Sequence, residues 1–158
     1  CNELQTGAYL AALIGDSINP SFFPLIVFFL GAIMSFATGS SYGTFAILMI
    51  IVIPIAHTLG APMTLTIAAV LSGGLFGDHT SPISDTTVLA SMAAGCAHID
   101  HVSTQFAYAA INGVMTMLAF VVAGFYQSPT IILGIIVVQF FVIRMAMKMY
   151  GHDARGEA

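Results

Sequence analysis

The stretch GLFGDHTSPISDTT, Gly74 to Thr87, sets two aspartates, a histidine and five hydroxyl side chains between two runs of membrane-like sequence. The apolar Met63–Gly73 precedes it and the apolar Val88–Cys96 follows it. Ionisable groups inside a hydrocarbon span cost several kcal/mol, and they persist where they face a cavity, a partner or an ion path. Gly73, Gly74, Gly77 and Pro82 predict that this span unwinds in its middle, because glycine permits unusual backbone angles and proline removes a donor. Residues 62–96 therefore read as one broken transmembrane helix.

The rest of the composition agrees with a membrane setting. Hydrophobic residues make up 58% of the 158-residue chain and charged residues only 6%, against about one-quarter charged in a soluble domain. Mean hydropathy is +0.98, and the sequence predicts an all-α integral membrane protein. Three Lys and Arg against seven Asp and Glu leave no basic patch to track a phosphate backbone, which argues against a nucleic-acid partner. Cys1 and Cys96 make no spaced framework and no zinc cluster. The chain starts without methionine or a basic n-region, so it reads as a fragment with no visible cleavable signal.

Outward from the break, the apolar segments are unequal. Residues 1–20 read as an interfacial or partial helix. Phe22–Ala37 gives sixteen uncharged residues, TGSSYGT (Thr38–Thr44) interrupts, and Phe45–Ala56 gives twelve more apolar residues. That second arm would span about 18 Å of a hydrocarbon core about 30 Å thick. Residues 21–57 are therefore expected to form a re-entrant hairpin with its polar tip at membrane depth, where exposed backbone has to line protein or a wet cavity. Residues 97–105 read as a cytoplasmic link. Residues 106–126 and 130–150 read as two full spans, the second running into a tail. Arg144, Lys148 and Arg155 all lie at or beyond the C-terminal end, which the positive-inside rule puts in the cytoplasm.

Both interruptions carry the same chemistry. A bare cation needs oxygens in place of its hydration shell, from carboxylates, hydroxyls and carbonyls of unwound backbone. Thr38, Ser40, Ser41 and Thr44 offer hydroxyls at the hairpin tip, and Asp78, Ser81, Ser84, Asp85, Thr86 and Thr87 offer carboxylates and hydroxyls at the break. Soft ligands are nearly absent, which favours sodium or a proton over zinc or copper. A carboxylate held away from water binds a proton more readily, so it can exchange that proton for sodium. The expected sodium ligands are Ser40, Ser41, Asp78, Asp85 and Thr86, and the expected proton carriers Asp78, Asp85 and His79. No cofactor is expected beyond the transported ions.

Three motifs carry a resemblance. FATGSSYGTFAIL (Phe36–Leu48), AAVLSGGLFGDHTSPISDTT (Ala68–Thr87) and GCAHIDHVSTQFAYA (Gly95–Ala109) resemble the second half of NhaC-type sodium/proton antiporters, whose relatives include malate/lactate exchangers. The resemblance implies the ion-transporter superfamily fold: two inverted repeats, each with a re-entrant hairpin and a broken helix, with ions between tips and breaks. The hairpin motif falls on Thr38, Gly39, Ser40, Ser41 and Thr44. The break motif falls on Gly77, Asp78, His79, Ser81, Pro82, Ser84, Asp85, Thr86 and Thr87. Ser84-Asp85-Thr86 also resembles, more distantly, the Ser-Asn-Thr turn of the dicarboxylate branch. Tyr42 stands where the family usually has tryptophan and Thr80 where it has cysteine. The chain holds only one repeat, so the resemblance implies a complementary N-terminal repeat, a homo-oligomer when complete, and a multi-pass protein of the plasma (inner) membrane.

Plainer readings stand beside these. Hydroxyls in membrane helices often bond their own i−4 carbonyl or join helices. Asp78 and Asp85 could cap half-helices, with Ser84 or Asp85 as N-cap. His98-Ile99-Asp100-His101 reads as a solvated interfacial turn ahead of a metal pair, for want of a third soft ligand. His79 divides between a proton relay and a packed histidine, His57 and His152 read as interfacial, and Asn112 and Thr116 read as helix-packing groups. An intramembrane aspartyl protease would need its two aspartates on facing helices, and here both lie on one segment. The chain is not read as an enzyme. Exchange of sodium for protons leads; coupled exchange of small organic acids or amino acids, and a non-transporting membrane subunit, are the alternatives.

Overall fold

A computed structural model describes residues 19–126, 128 and 130–150. The interfacial helix expected over residues 1–20 falls almost wholly outside these, as does the tail beyond Tyr150. Among the described residues all regular structure is helical. A single turn at Pro20–Phe22 leads into α1 (Phe23–Thr38), followed by α2 (Ser41–Leu59), α3 (Met63–Thr80), α4 (Asp85–Ala94), α5 (His98–Phe125) and α6 (Thr130–Tyr150). Pro20–Thr38, α2 and α5 are long and apolar enough to cross a membrane.

The centre of the bundle is α3, which packs against α1, α2, α4 and α5. Its glycines explain how. A side chain at Gly73 would strike the Phe28 carbonyl, and one at Gly77 would strike the Ala32 carbonyl, while Gly31 of α1 lies against the Gly73–Gly74 backbone. Small residues let membrane helices approach backbone to backbone, so dispersion contacts replace the hydrophobic drive that lipid does not supply. Gly73, Gly74 and Gly77 are therefore helical packing positions, not the unwound centre expected of them. The break is confined to residues 81–84. Phe23, Val27 and Phe28 of α1 meet Leu48, Val52 and Ile55 of α2 and Val70 of α3 in one buried cluster. Phe120 of α5 closes it, its ring 5.6 Å from that of Phe28.

Two further boundaries differ from expectation. The arm expected to be twelve residues long is a nineteen-residue helix, about 28 Å at 1.5 Å per residue. Ser41, Tyr42, Gly43 and Thr44 form its first turn, because Ser40 caps it by accepting the Gly43 amide at 3.4 Å. Its length thus suits a crossing as well as a returning arm. Residues 98–105, expected as a link, are the first two turns of α5. The outer faces expose large apolar side chains such as Phe29, Leu30, Ile33, Ile50 and Leu118. A water-soluble monomer rarely shows so continuous an apolar surface. α6 lies in a unit of its own, where the Arg144 guanidinium stands 5.5 Å from the centre of the Phe140 ring.

Candidate ion-binding site at the helix break

Proline at 82 and hydroxyls on either side end α3 at Thr80 and start α4 at Asp85. The short turn between them is held on two sides. On the inner side, the Ser81 hydroxyl donates to the Phe36 carbonyl at 2.8 Å and accepts the Ile83 amide at 3.3 Å. Gly39, with φ of +65°, lies so close that any side chain there would come within 2.9 Å of the Ile83 carbonyl. Left-handed backbone and close approach both demand glycine at this point. The tip joining α1 to α2 and the break joining α3 to α4 are thus in direct contact, although more than forty residues separate them. On the outer side, the Pro82 carbonyl accepts from His98 Nε2 at 2.7 Å.

Within the break, Asp78 is 1% exposed and sits among hydroxyls. Ser84 donates to its Oδ1 at 2.8 Å, Thr86 donates to its Oδ2 at 3.1 Å, and the two hydroxyls are 2.8 Å from each other. Three contacts close a ring, and the two hydroxyls supply only two hydrogens. The third contact is filled when the carboxyl carries a hydrogen of its own, or when a cation takes that place. Four oxygens are therefore linked in one ring, buried at Asp78 and Ser84 and opening outward at the exposed Thr86.

The other expected site residues divide. Ser84 occupies the N-cap position of α4 without bonding its amides, because its hydroxyl is committed to Asp78. Asp85 is exposed and accepts the Thr86 amide at 2.8 Å; it does not join the ring. Thr38 and Thr44 bond back to carbonyls of the preceding turn, Met34 at 2.9 Å and Ser40 at 3.0 Å. Ser41 is buried at the start of α2 and Ser40 is its cap. Thr87 is buried, and its carbonyl accepts from Ser91. His79 points away from the ring: it bonds the Leu75 carbonyl at 2.9 Å and lines a groove with Phe76, Gln105, Tyr108 and Asn112. Thr80 bonds back within its own helix. Asn112 and Thr116 bond back within α5, to the Tyr108 and Asn112 carbonyls.

Sequence alone gives no sign of Ser35. Its hydroxyl is buried beside Gly77 and has no hydrogen-bond partner among the described residues. Only the register of α1 against α3 brings it to this place. His98 and His101 also depart from expectation, for their Nδ1 atoms converge on the Ser91 hydroxyl at 3.0 and 2.8 Å. The segment opens α5 and does not form a turn.

A multi-pass helical membrane protein with a buried carboxylate bonded to hydroxyls at a helix break has the chemistry that suits small cations and protons. The chain belongs to the Na+/H+ antiporter family, whose model matches residues 1–125. It is 42% identical over 110 residues to the malate-2H(+)/Na(+)-lactate antiporter of Bacillus subtilis, covering 70% of this chain and 24% of that one. Against the arginine/ornithine antiporter ArcD of Halobacterium salinarum it is 37% identical over 109 residues, 69% of this chain and 22% of the relative. Against the Na(+)/H(+) antiporter NhaC of Alkalihalophilus pseudofirmus it is 31% identical over 113 residues, 72% and 24% respectively. The chain thus spans about a quarter of the length of these relatives. No solved structure matches it significantly.

Proposed function

We propose that this chain forms one repeat of a secondary transporter that exchanges sodium ions for protons across the plasma membrane, and that it is not an enzyme. The observation that carries the reading is the ring of Asp78, Ser84 and Thr86, three contacts for which the two hydroxyls supply only two hydrogens. A proton on Asp78 completes the ring in one state. A sodium ion completes it in the other, with the Ser84 and Thr86 lone pairs turned inward. The two cannot be bound together without an excess of charge, so sodium entry expels the proton. Ser81 borders the site from the contact between break and tip, and Ser40 and Ser41 are proposed as further ligands from the start of α2. The exposed Asp85 is a ligand toward a complementary repeat or a charge that draws cations to the entrance.

The remaining parts of the proposal concern the whole protein. A second, inverted repeat completes the path, the complete protein is a homo-oligomer, and the C-terminal end lies in the cytoplasm next to Arg144 and Lys148. α1 and α2 form a re-entrant hairpin. If they do, single cysteines at Ser21 and Thr58 label from the same side of the membrane with an impermeant thiol reagent; labelling from opposite sides makes them two ordinary spans.

A second reading is favoured by relatives named for malate, lactate, arginine and ornithine: an organic acid or amino acid moves with the same ions. Flux of radioactive sodium into vesicles holding the complete protein, swept over pH with and without these solutes, separates the two. Sodium–proton exchange predicts flux driven by a pH gradient alone. A requirement for an organic solute selects the second reading, and no flux under any condition selects a non-transporting subunit.

A further inference from the structure

Four hydrogen bonds meet at the start of α5, and their hydrogens can be counted. The Ser91 hydroxyl, 2% exposed, lies 2.8 Å from the Thr87 carbonyl, 3.0 Å from His98 Nδ1 and 2.8 Å from His101 Nδ1. The other nitrogen of His98 lies 2.7 Å from the Pro82 carbonyl. Carbonyl oxygens only accept, and a serine has one hydrogen to give. If Ser91 gives it to Thr87, both histidines have to donate from Nδ1. His98 has to donate from Nε2 as well, toward Pro82. All four contacts hold together only when His98 carries a hydrogen on both ring nitrogens. Take one away, and either Pro82 loses its donor or Ser91 has to turn from Thr87 to His98.

We infer that His98 is a positioning residue for the helix break, holding the Pro82 carbonyl from outside the bundle, and that the His98–Ser91–His101 cluster makes this hold depend on proton uptake. Histidine is the side chain whose second proton comes and goes within the physiological range. The ionisable groups on the elements packed here are Asp100, His101 and Tyr108 on α5, Cys96 in the preceding turn, Asp85 on α4, and Asp78 and His79 on α3; α1 contributes none. Pro82 lies between Ser81, which contacts the tip of α1, and Ser84, which serves Asp78. Fastening its carbonyl fixes the turn on which both hydroxyls stand. The hold is therefore strongest on the acid side, where the donor to Pro82 is charged, and loosens toward the alkaline side, where that bond becomes a neutral one or is lost. That this release would tune ion exchange rests on the function proposed above; the coupling of His98 to Pro82 does not.

The test needs no flux. The complete protein, labelled with 15N-histidine and 13C-carbonyl proline, is placed in lipid nanodiscs and followed by nuclear magnetic resonance through a pH sweep, with Pro82→Ala assigning the carbonyl. The expected result is that His98 carries hydrogen on both nitrogens on the acid side and that the Pro82 carbonyl shift moves with the same midpoint as His98. His98→Gln, whose amide nitrogen mimics Nε2, should keep the Pro82 shift near its acid value at every pH. Ser91→Ala should leave the Pro82 bond and displace its midpoint. A Pro82 shift that stays constant while His98 titrates overturns the inference, as does one unchanged in His98→Phe. Since the Pro82 shift is read without transport, a failure of sodium–proton exchange would leave the coupling of His98 to Pro82 standing or falling on the shift alone.

Discussion

Asp78 and Asp85 carry the same functional group into opposite surroundings. Asp78 is 1% exposed and bonded to two hydroxyls, whereas Asp85 is exposed and bonded to a backbone amide. In the proposed function the first environment makes protonation and cation binding alternatives; the second puts a carboxylate at the first turn of a helix, where negative charge interacts favourably with the free amides. Removing Ser84 should therefore cost more than neutralising Asp85. A hydrogen bond to a charged group contributes about 1.5–3 kcal/mol, so Ser84→Ala is expected to weaken sodium binding by roughly tenfold or more. Asp85→Asn is expected to weaken it by less than about fivefold, an exposed charge being worth about 1 kcal/mol at most. Equilibrium binding of radioactive sodium to the purified complete protein checks both. A larger loss for Asp85→Asn would move the ligand set outward from the ring.

Among the elements, the pair α1 and α3 does most to place the site. Gly77 is the residue just before Asp78, and its approach to the Ala32 carbonyl and the Phe36 amide sets the depth at which the carboxylate sits. Gly77→Val has no space to enter. Overpacking of this kind costs about 1–3 kcal/mol, and the backbone of α1 cannot rotate aside as a side chain could. A lowered unfolding temperature, together with weaker sodium binding in the fraction that survives, is the expected result. Ala68→Val, on an exposed face of the same helix, should change neither. Unaltered stability in Gly77→Val would mean that α1 and α3 do not cross at this register.

How far these elements can be read from sequence depends on where their partners lie. Apolar runs and the polar stretch at 74–87 announce helices and a break because both are local. Gly73 and Gly77 are ambiguous by themselves: the missing side chain that lets a backbone unwind also lets another helix approach, and Phe28 and Ala32 decide between the two from far away in the chain. The length of α2 is hidden for a related reason, since hydroxyls that interrupt an apolar run also make a good helix cap and first turn. Asp78, Ser84 and Thr86 lie on one short segment, and so the ring is within reach of a sequence reading. His98 and His101 are not, because Ser91, the group that organises them, lies on another helix.

For the molecule as a whole, the chain spans about a quarter of the length of its relatives, and its outer faces carry large apolar side chains such as Phe29, Ile50 and Leu118. Lipid or further protein covers such faces. The ring at the break needs neither to be understood. In the proposed function it holds a proton or a cation at Asp78, and exchange across the membrane would follow from that competition. Proton release on sodium addition tests it most directly. The complete protein, purified in weak buffer with a pH indicator, receives sodium chloride, with choline chloride as the control. Wild type is expected to release protons as sodium binds, and Asp78→Asn to release none, while Asp85→Asn still releases them. Equal proton release from wild type and Asp78→Asn would contradict competition at the ring.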